Sequence, residues 1–311
     1  MDNLADRVIV ALTFCVMAGS PAAQARNLVP AAAPVAPCDA TTKAALNACQ
    51  AQATSSYMLA VGACDNEEPS VYQDCIAKAK SRQSSADAFC ASASTARAEI
   101  CHRVGQGIYD PAIDPADFST TITNRYFPLV PGTTFTYSIP NGLDIVEVTS
   151  TTRILDGVTT LAVHDDVIVG GIYQEKTIDY YAQDKLGNVW YFGEDEADLD
   201  KLGNVVAVNN WHAGEAGAKP GIIMLGTPLV GVAYRQEFLV GFAEDAAVVD
   251  ARGQQISVPY GTFTNAIRTR DFNGLDASDR SRKYYVPGVG DVLEVDIAGN
   301  VRTELVSIAH K

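Results

Sequence analysis

The chain has 311 residues, 47% of them hydrophobic, and a formal net charge of −14. That length can bury a substantial core in one domain or two. Residues 106–311 carry 15 basic against 28 acidic side chains. This balance excludes nucleic acid, whose binding needs Lys and Arg against phosphate, and an anionic membrane surface. It leaves room for a small-molecule or cationic ligand, or a divalent metal ion.

The N-terminus carries an apolar run, Val8–Ala18, followed by Ala23-Gln24-Ala25. An apolar stretch too short to span a bilayer, ending in Ala-x-Ala, predicts a cleaved signal peptide over residues 1–25 and a periplasmic or extracellular address. Cys15 falls inside that run and leaves with it. Residues 26–37 are an Ala/Pro linker. No later segment is long and apolar enough to form a transmembrane helix.

Six cysteines follow, at positions 38, 49, 64, 75, 90 and 101, with gaps of 11, 15, 11, 15 and 11. Composition between them is rich in Ala, Ser, Gln and Lys, with Pro69 the one proline, which is helical usage. Two helices are predicted, 39–64 and 70–104, broken by Asp65–Pro69 and ended by Gly105. A step of 11 returns to within roughly 20° of the same helix face and a step of 15 to within roughly 60°. Cysteines 11 apart on one helix lie roughly 16 Å apart, beyond the roughly 4–7 Å that a disulfide spans. Only the nested ladder Cys38–Cys101, Cys49–Cys90 and Cys64–Cys75 puts every rung level in an antiparallel hairpin. The covalent rungs replace a core in residues 38–105, where apolar content is mostly Ala. Such a hairpin could act as a spacer, a clamp or a docking surface for a protein partner.

From about residue 110 to 311 the pattern changes to alternation and turns. Strands are predicted at Thr134–Ile139, Ile145–Thr149, Thr159–His164, Lys176–Tyr181, Asn188–Phe192, Val205–Val208, Tyr234–Leu239, Thr264–Thr269, Arg282–Val286, Asp291–Val295 and Val301–Val306. Asp184-Lys-Leu-Gly-Asn-Val recurs at Asp200, and Gly-Asn between β-branched runs is hairpin-turn chemistry. Ala243–Asp250 is the one stretch with a helical composition. The expected fold is α+β: a disulfide-laddered helical hairpin, then a mainly antiparallel barrel-like or half-barrel domain.

Asn124-Arg-Tyr-Phe-Pro-Leu-Val-Pro-Gly-Thr-Thr-Phe-Thr-Tyr, Tyr181-Ala-Gln-Asp-Lys-Leu-Gly-Asn-Val-Trp-Tyr-Phe-Gly-Glu and Tyr284-Tyr-Val-Pro-Gly-Val-Gly resemble segments of a family of uncharacterised secreted bacterial proteins. The likeness spans residues 110–311. It implies a secreted β-rich fold and brings no activity or catalytic residue.

Signatures of nucleophile elbows, zinc proteases, redox thiols and phosphate loops are absent from the sequence. The acidic run Glu194–Asp200 fails the calcium-loop pattern, because Leu202 stands where an oxygen ligand is needed, and reads as a solvated hairpin turn. Two candidate groups remain. His164, Glu175 and Asp179 lie on neighbouring predicted strands and could hold a divalent metal ion or form a base with its orienting acid. Trp211 and His212 open a Gly-rich loop that, with Tyr234, Arg235 and Glu237, could line a ligand pocket; Arg235 and Glu237 alternate onto one strand face. The first expectation is a secreted binding protein with a pocket in its β-rich part. The alternative is a periplasmic enzyme of hydrolase or lyase type using His164 or His212 with nearby carboxylates.

Overall fold

The structure, a computed structural model, describes residues 35–311. The predicted signal peptide and nearly all of the linker lie outside the described residues. Helix α1 (Pro37–Cys64) and helix α2 (Pro69–Val104) each start on a proline in the first turn, where its missing N–H costs nothing. Gly105, at φ +97°, ends α2. The helices run antiparallel, and the three predicted disulfides form at a uniform Cα separation of 5.7 Å. The residues buried between the helices are mainly small, Ala53 and Ala79 with Cys64 and Cys90, so the backbones approach closely. Far from the barrel, Met58, Leu59, Val71 and Phe89 stay exposed.

Sixteen strands follow. They are β1 (Phe118–Ser119), β2 (Thr133–Ile139), β3 (Gly142–Leu155), β4 (Val158–Val169), β5 (Ile172–Asp184), β6 (Val189–Leu199), β7 (Val205–Val208) and β8 (Trp211–His212). After them come β9 (Lys219–Met224), β10 (Ala233–Arg235), β11 (Glu237–Phe238), β12 (Ala246–Val258), β13 (Gly261–Phe272), β14 (Arg280–Val286), β15 (Gly290–Asp296) and β16 (Arg302–His310). From β2 to β6 and from β12 to β16 each strand pairs antiparallel with the next, and β16 returns to pair β2. β10 and β11 are two halves of one run: β10 pairs β12 while β11 pairs β9, which itself pairs β6. That run brings the two ends of the sheet together into a near-closed meander barrel. The segment Ala243–Asp250 is not helical: from Ala246 it is the start of the long strand β12, whose small side chains pack beneath α2.

One large cluster fills the barrel, among it Tyr126, Leu129, Phe135, Tyr181, Tyr191, Trp211, Met224 and Tyr285. The segment 124–130 adds Tyr126 and Leu129 to that core. Asn124 anchors the segment, donating from Nδ2 to Gly187 O at 2.7 Å and Leu225 O at 3.1 Å. On the outer wall, the last turns of α2 pack Ile100 against Ala246, Val248 and Phe272. Beside that contact, Arg97 reaches Glu244 through Nε at 2.8 and 2.9 Å and through Nη2 at 2.7 Å, and both side chains are buried. Glu99 accepts from Arg280 at 2.6 Å, and the Arg103 guanidinium lies 4.3 Å from the centre of the Phe272 ring. The hairpin is therefore joined to the barrel by a buried ion pair and an apolar patch as well as by the connecting chain. Among the described residues no helix is long and apolar enough to cross a membrane.

Candidate functional site

Strand register decides which predicted residues meet. In the β4–β5 pair Val163 lies opposite Asp179 and His164 opposite Ile178. Side chains alternate along a strand, so Asp165, Glu175 and Asp179 point into the barrel while His164 points out, next to Glu147 of β3. His164 is exposed. The predicted group of His164 with Glu175 and Asp179 is thus not assembled: the carboxylates are on one face of the sheet and the imidazole on the other. Glu175 has different neighbours, Glu196 and Asp198 of β6, with ligand atoms of all three within 4.8 Å of one another. Asn209 Nδ2 donates to Glu196 at 2.8 Å and Asp198 at 3.3 Å.

The second predicted group divides as well. Gly193, at φ +138°, lets β8 lie directly against β6, where a Cβ would come within 2.2 Å of Trp211 O. Trp211 then faces the barrel interior, 5.3 Å from Tyr191 in an edge contact, while His212 faces outward. The His212 Nε2 is 3.0 Å from Asp195 Oδ1 and Nδ1 is 3.2 Å from Glu215 Oε2, so both ring nitrogens are engaged. Asp195 also takes Tyr180 Oη–H at 2.7 Å and Arg153 at 2.6 Å, and its carboxyl is held below the usual range by these donors and charges despite partial burial. This is a satisfied ion cluster on the barrel wall. Arg235 and Glu237 do not share a face. Gln236 N and Glu237 N both donate to Asp245 O, at 2.8 and 3.4 Å, a bulge that sets two residues against one and reverses the alternation. Arg235 stays outside, over the rings of Phe238 and Tyr109, whereas Tyr234 and Glu237 turn inward toward Asp271 and Asp245.

The interior so formed is unusually acidic. A cavity of about 170 Å³ is lined by Asp144, Asp165, Asp179, Asp291 and Glu294, with Lys283 the one basic side chain on its wall. Its apolar lining comes from Phe135, Val146 and Val163, and Tyr137, Tyr181 and Tyr285 supply aromatic faces. Phe127, Pro128 and Leu129 also line it. Asp144 and Asp165 sit on diagonal positions of β3 and β4, and the Oδ1 atom of each is buried with no hydrogen-bond partner. Burial raises both carboxyls, and the mutual charge pushes Asp165 well above its ordinary range. Two such oxygens side by side require a proton or a cation between them.

One diagonal further on, Asp179 of β5 lies directly opposite Glu194 of β6. Tyr191 Oη is 2.6 Å from Asp179 Oδ1 and 2.6 Å from Glu194 Oε2. A hydroxyl has one hydrogen, so the second contact calls for a proton on a carboxyl. Burial lifts Asp179 to about 6 and Glu194 to about 8. Across the barrel, burial lifts Asp245 to about 7 and raises Glu237, Asp271 and Asp291, while the charge of Glu294 raises Lys283. Sequence reasoning singled out Asp179 from the cavity wall and missed Asp144, Asp165, Lys283, Asp291 and Glu294. A signal was present: Asp144 and Asp165 each alternate in register with core residues, Val146 and Val163. Segments far apart in sequence meet here, through Phe127–Leu129, Tyr181 and Tyr285. Comparison with protein-family models, with curated proteins and with solved structures finds no match for this chain.

Proposed function

We propose that this is a secreted binding protein whose barrel interior takes up a small cationic ligand. One observation carries the reading: five carboxyl groups and one ammonium line the cavity, and the buried Oδ1 atoms of Asp144 and Asp165 have no partner beyond a proton shared between the two carboxyls. Like charges brought together out of water destabilise a fold, and a cation with an apolar body offsets that cost while filling the aromatic-walled space. The three disulfides support an oxidising compartment, the periplasm or the cell exterior, as the place of action. For the enzymatic alternative, His212 has no free ring nitrogen and His164 lies on the wall opposite the cavity side, so neither favours that reading.

Thermal unfolding at pH 8 in chloride or sodium salts of matched ionic strength tests it. Ethylammonium and tetramethylammonium should raise the melting temperature above the sodium chloride reference, and acetate should not. Equal stabilisation by acetate, or a cation effect that persists in the Asp144→Asn/Asp165→Asn double variant, would refute it.

A further inference from the structure

Arg235 is a buried cation without an anion. Its side chain is 7% exposed on the outer face of the sheet, at the base of the helical hairpin. Its one hydrogen bond among the described residues runs from Nη2 to the disulfide sulfur of Cys38, at 3.3 Å, and sulfur is a weak acceptor. Glu244, whose charge bears on it, is held by Arg97 at 2.7 Å, and Asp110, beside Tyr109 in sequence, is held by Lys219. The rings of Phe238 and Tyr109 flank the guanidinium, their centres 4.9 and 5.6 Å from Cζ. Tyr109 is fixed in turn by donating its hydroxyl to Pro220 O at 2.8 Å. Aromatic faces attract the charge, but they leave the other guanidinium N–H groups without an acceptor, and an uncompensated buried charge is costly.

Two crevices meet at this side chain, of about 270 Å³ and about 180 Å³, and both are lined by Ile108, Tyr109 and Arg235. The larger lies between the end of α2 and the barrel wall, where Val104, Trp190 and Ile222 make it apolar. Ile108, in the segment that joins hairpin to barrel, is 80% exposed, so it offers apolar surface that a ligand would cover. We infer that this junction is a second binding site, for a small organic monocarboxylate with an apolar body. The carboxylate takes two parallel N–H groups of Arg235, and the body lies in the larger crevice against Trp190, Ile108 and Ile222. An apolar crevice with one placed polar group is the usual form of a small-molecule site. The size agrees: a cavity of ~150 Å³ accepts benzene, and the larger crevice exceeds that. One guanidinium matches one carboxylate, and a chain of net charge −14 repels polyanions. The site is on the outer face of the sheet and does not depend on the cationic cavity inside the barrel.

Trp190, one of the chain's two tryptophans, lines the crevice and reports on its occupancy. The disulfide-intact protein at pH 7 is titrated with benzoate, benzamide and inorganic phosphate, following tryptophan emission and heat. Benzoate should bind saturably and at least tenfold tighter than the other two. Arg235→Met should weaken benzoate at least tenfold and leave benzamide unchanged. Arg235→Lys, which keeps the charge and loses the planar fork, should bind benzoate several-fold more weakly than wild type. A purely structural arginine would change only the melting temperature in these variants. Equal binding of benzoate and benzamide by the wild type, tighter binding of phosphate, or no saturable response to benzoate up to tens of millimolar would overturn the site. These wild-type comparisons decide the matter even where a variant fails to fold; benzoate binding that survives Arg235→Met would overturn it as well.

Discussion

Replacing Glu194 by Gln should make this protein more stable at neutral pH, and the gain should vanish in acid. Glu194 titrates near 8 in the folded chain against an ordinary value of 4.5. The folded state therefore keeps a proton that the unfolded state has released, throughout the interval between those values. With fewer protons on the unfolded chain, stability falls as pH rises through that window. Each unit is about 1.4 kcal/mol, so from 4.5 to pH 7 the penalty reaches about 3 kcal/mol. Gln is neutral at every pH, and its amide N–H can replace the protonated carboxyl as donor to the Tyr191 oxygen, which lies 2.6 Å from Glu194. Urea unfolding followed by tryptophan fluorescence at pH 4.5, 6 and 7 reads the difference. The variant should match the wild type at pH 4.5 and exceed it by about 3 kcal/mol at pH 7. A variant that is less stable at pH 7, or whose difference does not change with pH, would show that Glu194 is ionised and solvated, and the acidic interior would lose its main support.

Three further outcomes follow from the packing. Arg97→Ala strands the buried Glu244 carboxylate and should cost about 3–5 kcal/mol, whereas Arg97→Met with Glu244→Gln should recover most of it; chemical denaturation of the three variants measures both. Ile100→Ala empties a site that is 1% exposed between α2 and the barrel and should cost about 2–5 kcal/mol, with the unfolding midpoint as readout. His164→Ala, on the outer face, should stay within about 0.5 kcal/mol of wild type and leave the response to alkylammonium salts unchanged, which thermal unfolding in those salts checks.

The helical hairpin was legible because disulfide geometry turns sequence spacing into arithmetic: gaps of 11 and 15 admit one ladder on antiparallel helices, and all three rungs form. The strands were legible through alternation, and the Asp184 and Asp200 repeats both became turns, each Asp accepting from the backbone N–H two residues on. Sidedness was not. The working rule that charged residues of an alternating strand face solvent fails for a barrel with a polar interior, so Asp144 and Asp165 drew no notice and the run from Glu194 read as a solvated turn. The run Glu194–Asp200 is mostly strand β6, with the turn beginning only at its end. The bulge at Gln236–Glu237 depends on which carbonyl lies opposite, which no local pattern records. Ala243–Asp250 misled for the converse reason: its small residues suit a helix and equally suit a strand lying under one.

The seam between β2 and β16 has a bearing on how the chain finds this shape. Tyr137 must pair with Leu305 across nearly the whole meander, while the hairpin rungs close loops of 63, 41 and 11 residues within one local stretch. Local contacts form fast and distant strand pairing is slow. The stapled helices can be complete while the sheet still has two open edges, and those edges are where a half-made barrel would join a second chain. Until the seam shuts, the inward-facing carboxylates stay hydrated and ionised, and their repulsion opposes premature collapse. The acids that shape the finished cavity would then also act, during folding, as a guard against aggregation.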